Sequence, residues 1–202
     1  MKTKNFSISI TIFLVIISVC FLQAKTDSKD KDPKWKVWKT IKIGGKSDSV
    51  LNKQIESDLS FKGWGYNYLP EYTTDSSERS IDLVVVSVAD LGYKEDYEVI
   101  YNDLVRAAES QGLKLCPAEV GPQLRLQYRN QPKDEWLYVM MDPIMEPPLN
   151  SCVQGYAHIF NVAHQREGLA LLGREFRMND LNILYFFEPT DLLVFQLEKK
   201  TE

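Results

Sequence analysis

The run from Ile81 to Ala89, IDLVVVSVA, limits what this chain can fold into more than any other stretch. Branched residues follow one another almost without interruption, which favours extended backbone and leaves neither face polar enough to stay in water. Such a strand belongs inside a sheet, hydrogen-bonded on both edges. The rest of the chain is then read for the strands that flank it and the helices that cover it.

Period-two alternation marks further strands. Trp35 to Ile43 carries Trp35 and Val37 and then, after a change of parity, Trp38, Ile41 and Ile43, and Gly44-Gly45 ends it. Leu124, Leu126 and Tyr128 alternate with Arg125, Gln127 and Arg129. A polar loop, Asn130 to Asp134, leads from them to the apolar run Trp136 to Met141, which Pro143 stops. These two segments are expected to form an antiparallel hairpin. Upstream, Pro117 and Pro122 cannot donate to a ladder, so Cys116 to Gly121, which contains Glu119, is expected to be an edge, a bulge or a loop. Tyr156, His158, Phe160, Val162 and His164 share one strand parity, and Gln165 to Gly168 reads as a hairpin turn into Leu169 to Leu172. Ile183 to Phe187 and Leu192 to Leu197 are the last two strands.

Helical spacing is confined to two windows. Val50, Leu51, Ile55 and Leu59 follow Ser47 or Asp48 as cap, with Gly63 as stop. Tyr97, Ile100, Tyr101, Leu104, Val105 and Ala108 form one stripe within Asp96 to Gln111, with Asp96 as cap and Gly112 as stop. The aromatic segment Trp64 to Tyr72 packs under the sheet or, if exposed, offers a sugar-stacking or partner surface. The sum is a single α+β domain, a mostly antiparallel sheet of about seven or eight strands with two packed helices.

At the N-terminus Lys2 and Lys4 precede an apolar run from Ile8 to Leu22, and Ala24 stands before the polar Lys25 to Lys31. This is the pattern of a signal peptide over residues 1–24, followed by a polar tether over 25–34 and the domain over 35–202. The chain is therefore expected to be exported, periplasmic or secreted. An uncleaved anchor or a lipid on Cys20 would tie it to a membrane, although Ser18 and Val19 are not the small pair that lipoprotein processing favours. Losing Lys2 and Lys4 moves the net charge from −4 to −6, with 22 basic against 28 acidic residues left. An acidic chain without clustered Lys and Arg is a poor match for nucleic acid. Cys116 and Cys152 are the cysteines beyond the leader, and an even pair in an exported chain invites a disulfide. The alternative is two separate small apolar residues.

The chain has no phosphate-cradling glycine loop, paired CxxC, HExxH or GxSxG, and no cofactor is expected. A thiol enzyme would need Cys116 activated by His158 or His164, against which Leu115 and Pro117 favour an inert cysteine. The two histidines, six apart on a strand, stand ~20 Å from each other and cannot share a metal, so they read as surface residues of a hairpin. On the polar side of the expected Leu124 to Met141 hairpin, Arg125, Gln127 and Arg129 point one way with Glu119 near, and arginine forks suit carboxylate or phosphate oxygens. That face would grip a small anionic ligand, unless Arg125 simply pairs with Glu119 or Glu135 on a solvated sheet. Two functions follow. One is a non-catalytic envelope module that binds a ligand or another envelope protein; the other is an envelope hydrolase using Glu119 or Asp142 as acid or base with His164.

Taken together, Leu91-Gly92-Tyr93, Gly112 to Tyr128, Gln131-Pro132, Glu135-Trp136-Leu137 and Met141-Asp142-Pro143-Ile144 resemble a family of uncharacterised bacterial proteins. The likeness runs from the Thr40 to Ile43 strand through the His164 to Leu171 hairpin. It implies a shared fold and no activity, cofactor or partner. Its pattern includes Cys116 but no counterpart of Cys152. Arg174 to Pro189 departs from it, which is where any specificity peculiar to this chain would reside.

Overall fold

Strands form where branched and aromatic residues are concentrated, and they join into one sheet. The computed structural model describes residues 34–58, 61–62, 72–95, 99–146, 156–178, 183–184 and 187–198. The expected signal peptide with Cys20, Leu59, Gly63, the segment from Trp64 to Glu71, the cap expected at Asp96, Tyr97 of the expected helical stripe, and Cys152 lie outside them. In chain order the elements are β1 (Lys39–Ile43), α1 (Asp48–Asp58), β2 (Phe61–Lys62), β3 (Arg79–Ser87), a 3-10 turn (Ala89–Leu91), α2 (Tyr101–Glu109) and β4 (Leu113–Lys114). Then come α3 (Val120–Gln127), β5 (Trp136–Val139), β6 (Ile144–Glu146), β7 (Tyr156–Gln165), β8 (Gly168–Met178), β9 (Ile183–Leu184) and β10 (Leu192–Leu197). Trp35–Glu202 forms one compact unit, and no helix among the described residues is long and apolar enough to cross a membrane.

The sheet runs β1-β3-β10-β5-β7-β8-β2, with β4 beside β10, β6 beside β7 and β9 beside β8. Every pairing is antiparallel except β10 with β5 and β2 with β8. The protein is thus α+β with a mostly antiparallel sheet. Among the described residues, three of the ten strands are two-residue pairings, too short for alternation to reveal. The Ile81 run lies inside the sheet, hydrogen-bonded to β1 on one side and β10 on the other. The β7–β8 hairpin pairs ten residues, closed by Arg166 and Glu167 between Gln165 and Gly168.

The main departure from expectation is α3. The segment read as one strand of a hairpin with Trp136 to Met141 is a helix, and β5 pairs instead with β7 and β10. The reason lies in the spacing. Val120, Leu124 and Tyr128 are four apart, a step that satisfies a strand face and a helix face alike. Pro122, read as unable to donate to a sheet ladder, sits in the first helical turn, where its missing N–H has no partner to lose. Val120 and Leu124 are fully buried on the side that packs against α1, β1, β7 and β8. α2 begins at Tyr101 and ends before Gly112.

β7 is buried from Ala157 through Ala163, so both of its faces are covered. Phe160 meets α3 at Gly121, while Phe176, the cross-strand partner of Ala157, lies 6.0 Å ring to ring from Tyr101 of α2. Residues 157 and 160 have opposite parity on the strand, which puts α2 and α3 on opposite faces of the sheet. His158, expected at a hairpin surface, is only 1% exposed, on the strand parity it shares with Phe160.

The approach of α3 is close. A Cβ on Gly121 would lie 2.4 Å from Cγ and 2.5 Å from Cβ of the buried Phe160. Gly121→Ala is therefore expected to destabilise the domain by roughly 1–3 kcal/mol through overpacking, despite alanine's higher helix propensity. Urea unfolding midpoints for the two proteins check this.

Candidate functional site

The site is built around the turn after β1. Ile41 and Ile43 point into the core, so Lys42 between them faces outward. Gly44 and Gly45 follow with φ of +80° and +72°. At Gly44 no side chain fits, because a Cβ would stand 2.1 Å from the carbonyl oxygen of Ser77. The turn curls the chain back so that Lys46 lines the same groove as Lys42.

Opposite stands α3. β1 lies at the end of the sheet, and the backbone of Lys42 on its open edge is met by a side chain in place of a strand. The Lys42 N–H donates to Gln127 Oε1 at 3.0 Å, and Gln127 Nε2 donates to the Lys42 carbonyl at 2.8 Å. Gln127 Nε2 also donates to Gln123 Oε1 at 3.2 Å. Between β1, its turn and α3 opens a groove of about 370 Å³. Lys42, Lys46, Gln54 and Glu78 form one side of the lining, and Gln123, Leu126, Gln127 and Arg129 the other. Three cationic side chains thus face one carboxylate, in a protein whose overall charge is negative. Lys42 Nζ is ion-paired with Glu78 at 2.8 Å, which raises the lysine's pKa and lowers the glutamate's, the direct hydrogen bond being the larger cause for both. Lys46 Nζ donates to Gln54 Oε1 at 3.1 Å, and Arg129 Nε to the Leu126 carbonyl at 2.9 Å.

Of the residues singled out by sequence, Gln127 and Arg129 line this groove and Arg125 does not. The shared polar face expected for all three belonged to a strand; on α3 the side chains of Arg125 and Gln127, two apart, diverge, and Arg129 lies beyond the helix end. Arg125 is fully buried and donates to Gln131 Oε1 and to the carbonyls of Ala163 and Tyr128, tying the end of α3 to β7. It makes no ion pair with Glu119 or Glu135 among the described residues. Burial brings its pKa down to about 10, so it remains charged at neutral pH.

Glu119 is likewise fully buried, and both of its oxygens are occupied. Oε2 accepts from the Gly44 N–H at 2.7 Å and Oε1 from the Asp75 N–H at 2.8 Å. It clamps the β1 turn to the loop before β3, and Gly45 N to Asp75 O at 2.9 Å completes the clamp. His164 is half-buried, with Nδ1 2.7 Å from the carbonyl oxygen of Gln131, and Asp142 is exposed. Neither Glu119 nor Asp142 is hydrogen-bonded or ion-paired to His164, so the acid, base and histidine expected of a hydrolase are not brought together among the described residues. No group of three metal-ligating side chains occurs among them either. Cys116 is a buried free thiol whose Sγ is 3.6 Å from the Val194 carbonyl oxygen; burial drives its pKa far up, away from thiolate chemistry.

Sequence reasoning missed Lys42, Lys46, Gln54, Glu78 and Gln123. The signal for two of them was present as KIGGK, lysines on either side of a glycine pair. Set against known protein families, curated proteins and solved structures, the chain matches none.

Two outcomes follow from these contacts. Glu119→Ala leaves two backbone donors without acceptors, at roughly 1–3 kcal/mol for each one that stays buried, and should lower stability accordingly in urea unfolding. The second concerns alkaline pH. Burial first, and then the Glu135 carboxyl, push the Tyr128 phenol from 10.0 up to about 12, and burial raises Tyr101 as well. The unfolded chain releases these protons first. Stability is fully present below pH 10.0 and is lost as pH rises toward 12, and Tyr128→Phe should flatten that decline in denaturation midpoints measured across the window.

Proposed function

We propose that this is an exported, non-catalytic binding module that holds a small anionic ligand in the groove between the β1 turn and α3. The observation that carries the reading is the concentration of Lys42, Lys46 and Arg129 around one concavity with Glu78 as the one carboxylate among its described lining residues, in an acidic protein. An isolated surface lysine is commonplace. Three cations on separate elements, held around a groove by the Gln127 clamp, form a local field that attracts anions and is paid for by the stability of the domain around it. The net negative charge argues against nucleic acid as the occupant. That neither Glu119 nor Asp142 meets His164 favours binding over hydrolysis. Export rests on the residue 1–24 pattern in the sequence.

Isothermal titration of the purified protein with inorganic phosphate and with citrate tests the reading. Binding is expected for at least one of them, weakened about tenfold by Lys46→Ala or Arg129→Ala and weakened further by added salt. Retention of full affinity in both variants would place the ligand elsewhere and overturn the assignment.

A further inference from the structure

The hydrogen-bond directions in the groove specify its ligand more narrowly than charge does. The backbone of Lys42 presents one donor and one acceptor to Gln127, and this fixes which end of the Gln127 amide is oxygen and which is nitrogen. Gln127 Nε2 then requires an acceptor from Gln123, so the Gln123 oxygen is turned inward to meet it. Gln123 is 5% exposed, lines the groove, and its Nε2 meets no acceptor among the described residues. Gln54 has its oxygen engaged by Lys46. The groove therefore offers donors from Lys42, Lys46, Arg129 and Gln123, and a single carboxylate, Glu78, which already occupies Lys42.

We propose, building on the anion-binding reading above, that the groove takes a compact ligand with several acceptor oxygens, a phosphoryl group or a polycarboxylate, that receives a hydrogen bond from Gln123 Nε2 and displaces Glu78 from Lys42. Gln123 is the specificity-determining donor at the floor, and Glu78 is an internal competitor whose carboxylate stands where a ligand oxygen goes. Among the described lining residues a cation finds one carboxylate, Glu78, and a neutral ligand that must donate hydrogen bonds faces mostly donors. Both are disfavoured by unpaired groups.

The test is titration of inorganic phosphate and of citrate into the protein purified from cells expressing the full chain, and into its Glu78→Gln and Gln123→Glu variants, with Lys46→Ala as reference. Glu78→Gln removes the competitor's charge at an exposed position and should tighten binding about two- to fivefold. Gln123→Glu turns the floor donor into an acceptor and should weaken it tenfold or more. Circular dichroism melts identify a Gln123→Glu protein that fails to fold, in which case Glu78→Gln alone decides. Tightening with phosphate only assigns a phosphoryl ligand, and with citrate only a polycarboxylate. Affinity unchanged or weakened in Glu78→Gln, with Lys46→Ala still losing binding, overturns this inference and leaves the groove reading standing. Binding of neither probe to any of the proteins overturns both.

Discussion

Two ionisable side chains buried at the ends of α3, Glu119 and Arg125, hold backbone groups of the surrounding turns and of β7, and most of the architecture around the groove depends on them. Glu119 gathers the N–H groups of Gly44 and Asp75, from two loops distant in sequence. Arg125 gathers the carbonyls of Tyr128 and Ala163. A helix of eight residues has little stability of its own. Here it is fixed at one end to the β1 turn and at the other to β7, and between those points Gly121 lets it rest directly on Phe160. The polar residues in α3 that look most chemical are therefore the ones that position it.

The groove is a by-product of that fixation. Because Glu119 draws the glycine turn against α3, Lys46 is carried to the rim, and because Gln127 takes the edge of β1, Lys42 keeps its side chain outward. Side chains that bind are thus supported by side chains that brace. The same residue types occur in both roles, separated by burial: Arg125 is enclosed and committed to carbonyls, and Arg129, four residues on, is exposed at the groove.

The sheet was legible where burial alone decides. The Ile81 run, the Leu192 to Leu197 strand and the Gln165 to Gly168 turn appear in the structure where branched and apolar runs and turn chemistry put them, because their burial or turn chemistry leaves one local conformation favoured. α3 was not legible for the opposite reason. A step of four residues fits both periods, and the choice between them is made by tertiary partners, Phe160 and the Gly44 turn, that local sequence does not contain. The candidate site failed along the same line. Arg125, Gln127 and Arg129 were grouped by a strand parity that does not exist, while Lys42 and Lys46 come together through two left-handed glycines and a clamp reaching 85 residues along the chain. Arg129 and Gln127 were found, but for a geometry other than the one they adopt.

The position of β10 governs when the molecule can assemble. Leu192 to Leu197 pairs with β3 on one side and β5 on the other, so it is the seam that joins the β1–β3 part of the sheet to the β5–β7–β8 part. It is also the last of the described elements to leave the ribosome. Until then β3 and β5 each present an open edge and the two parts have no shared ladder, so a growing polypeptide cannot settle into its final fold piece by piece. Closure of the sheet is therefore a late event, made when β10 fills the gap between β3 and β5.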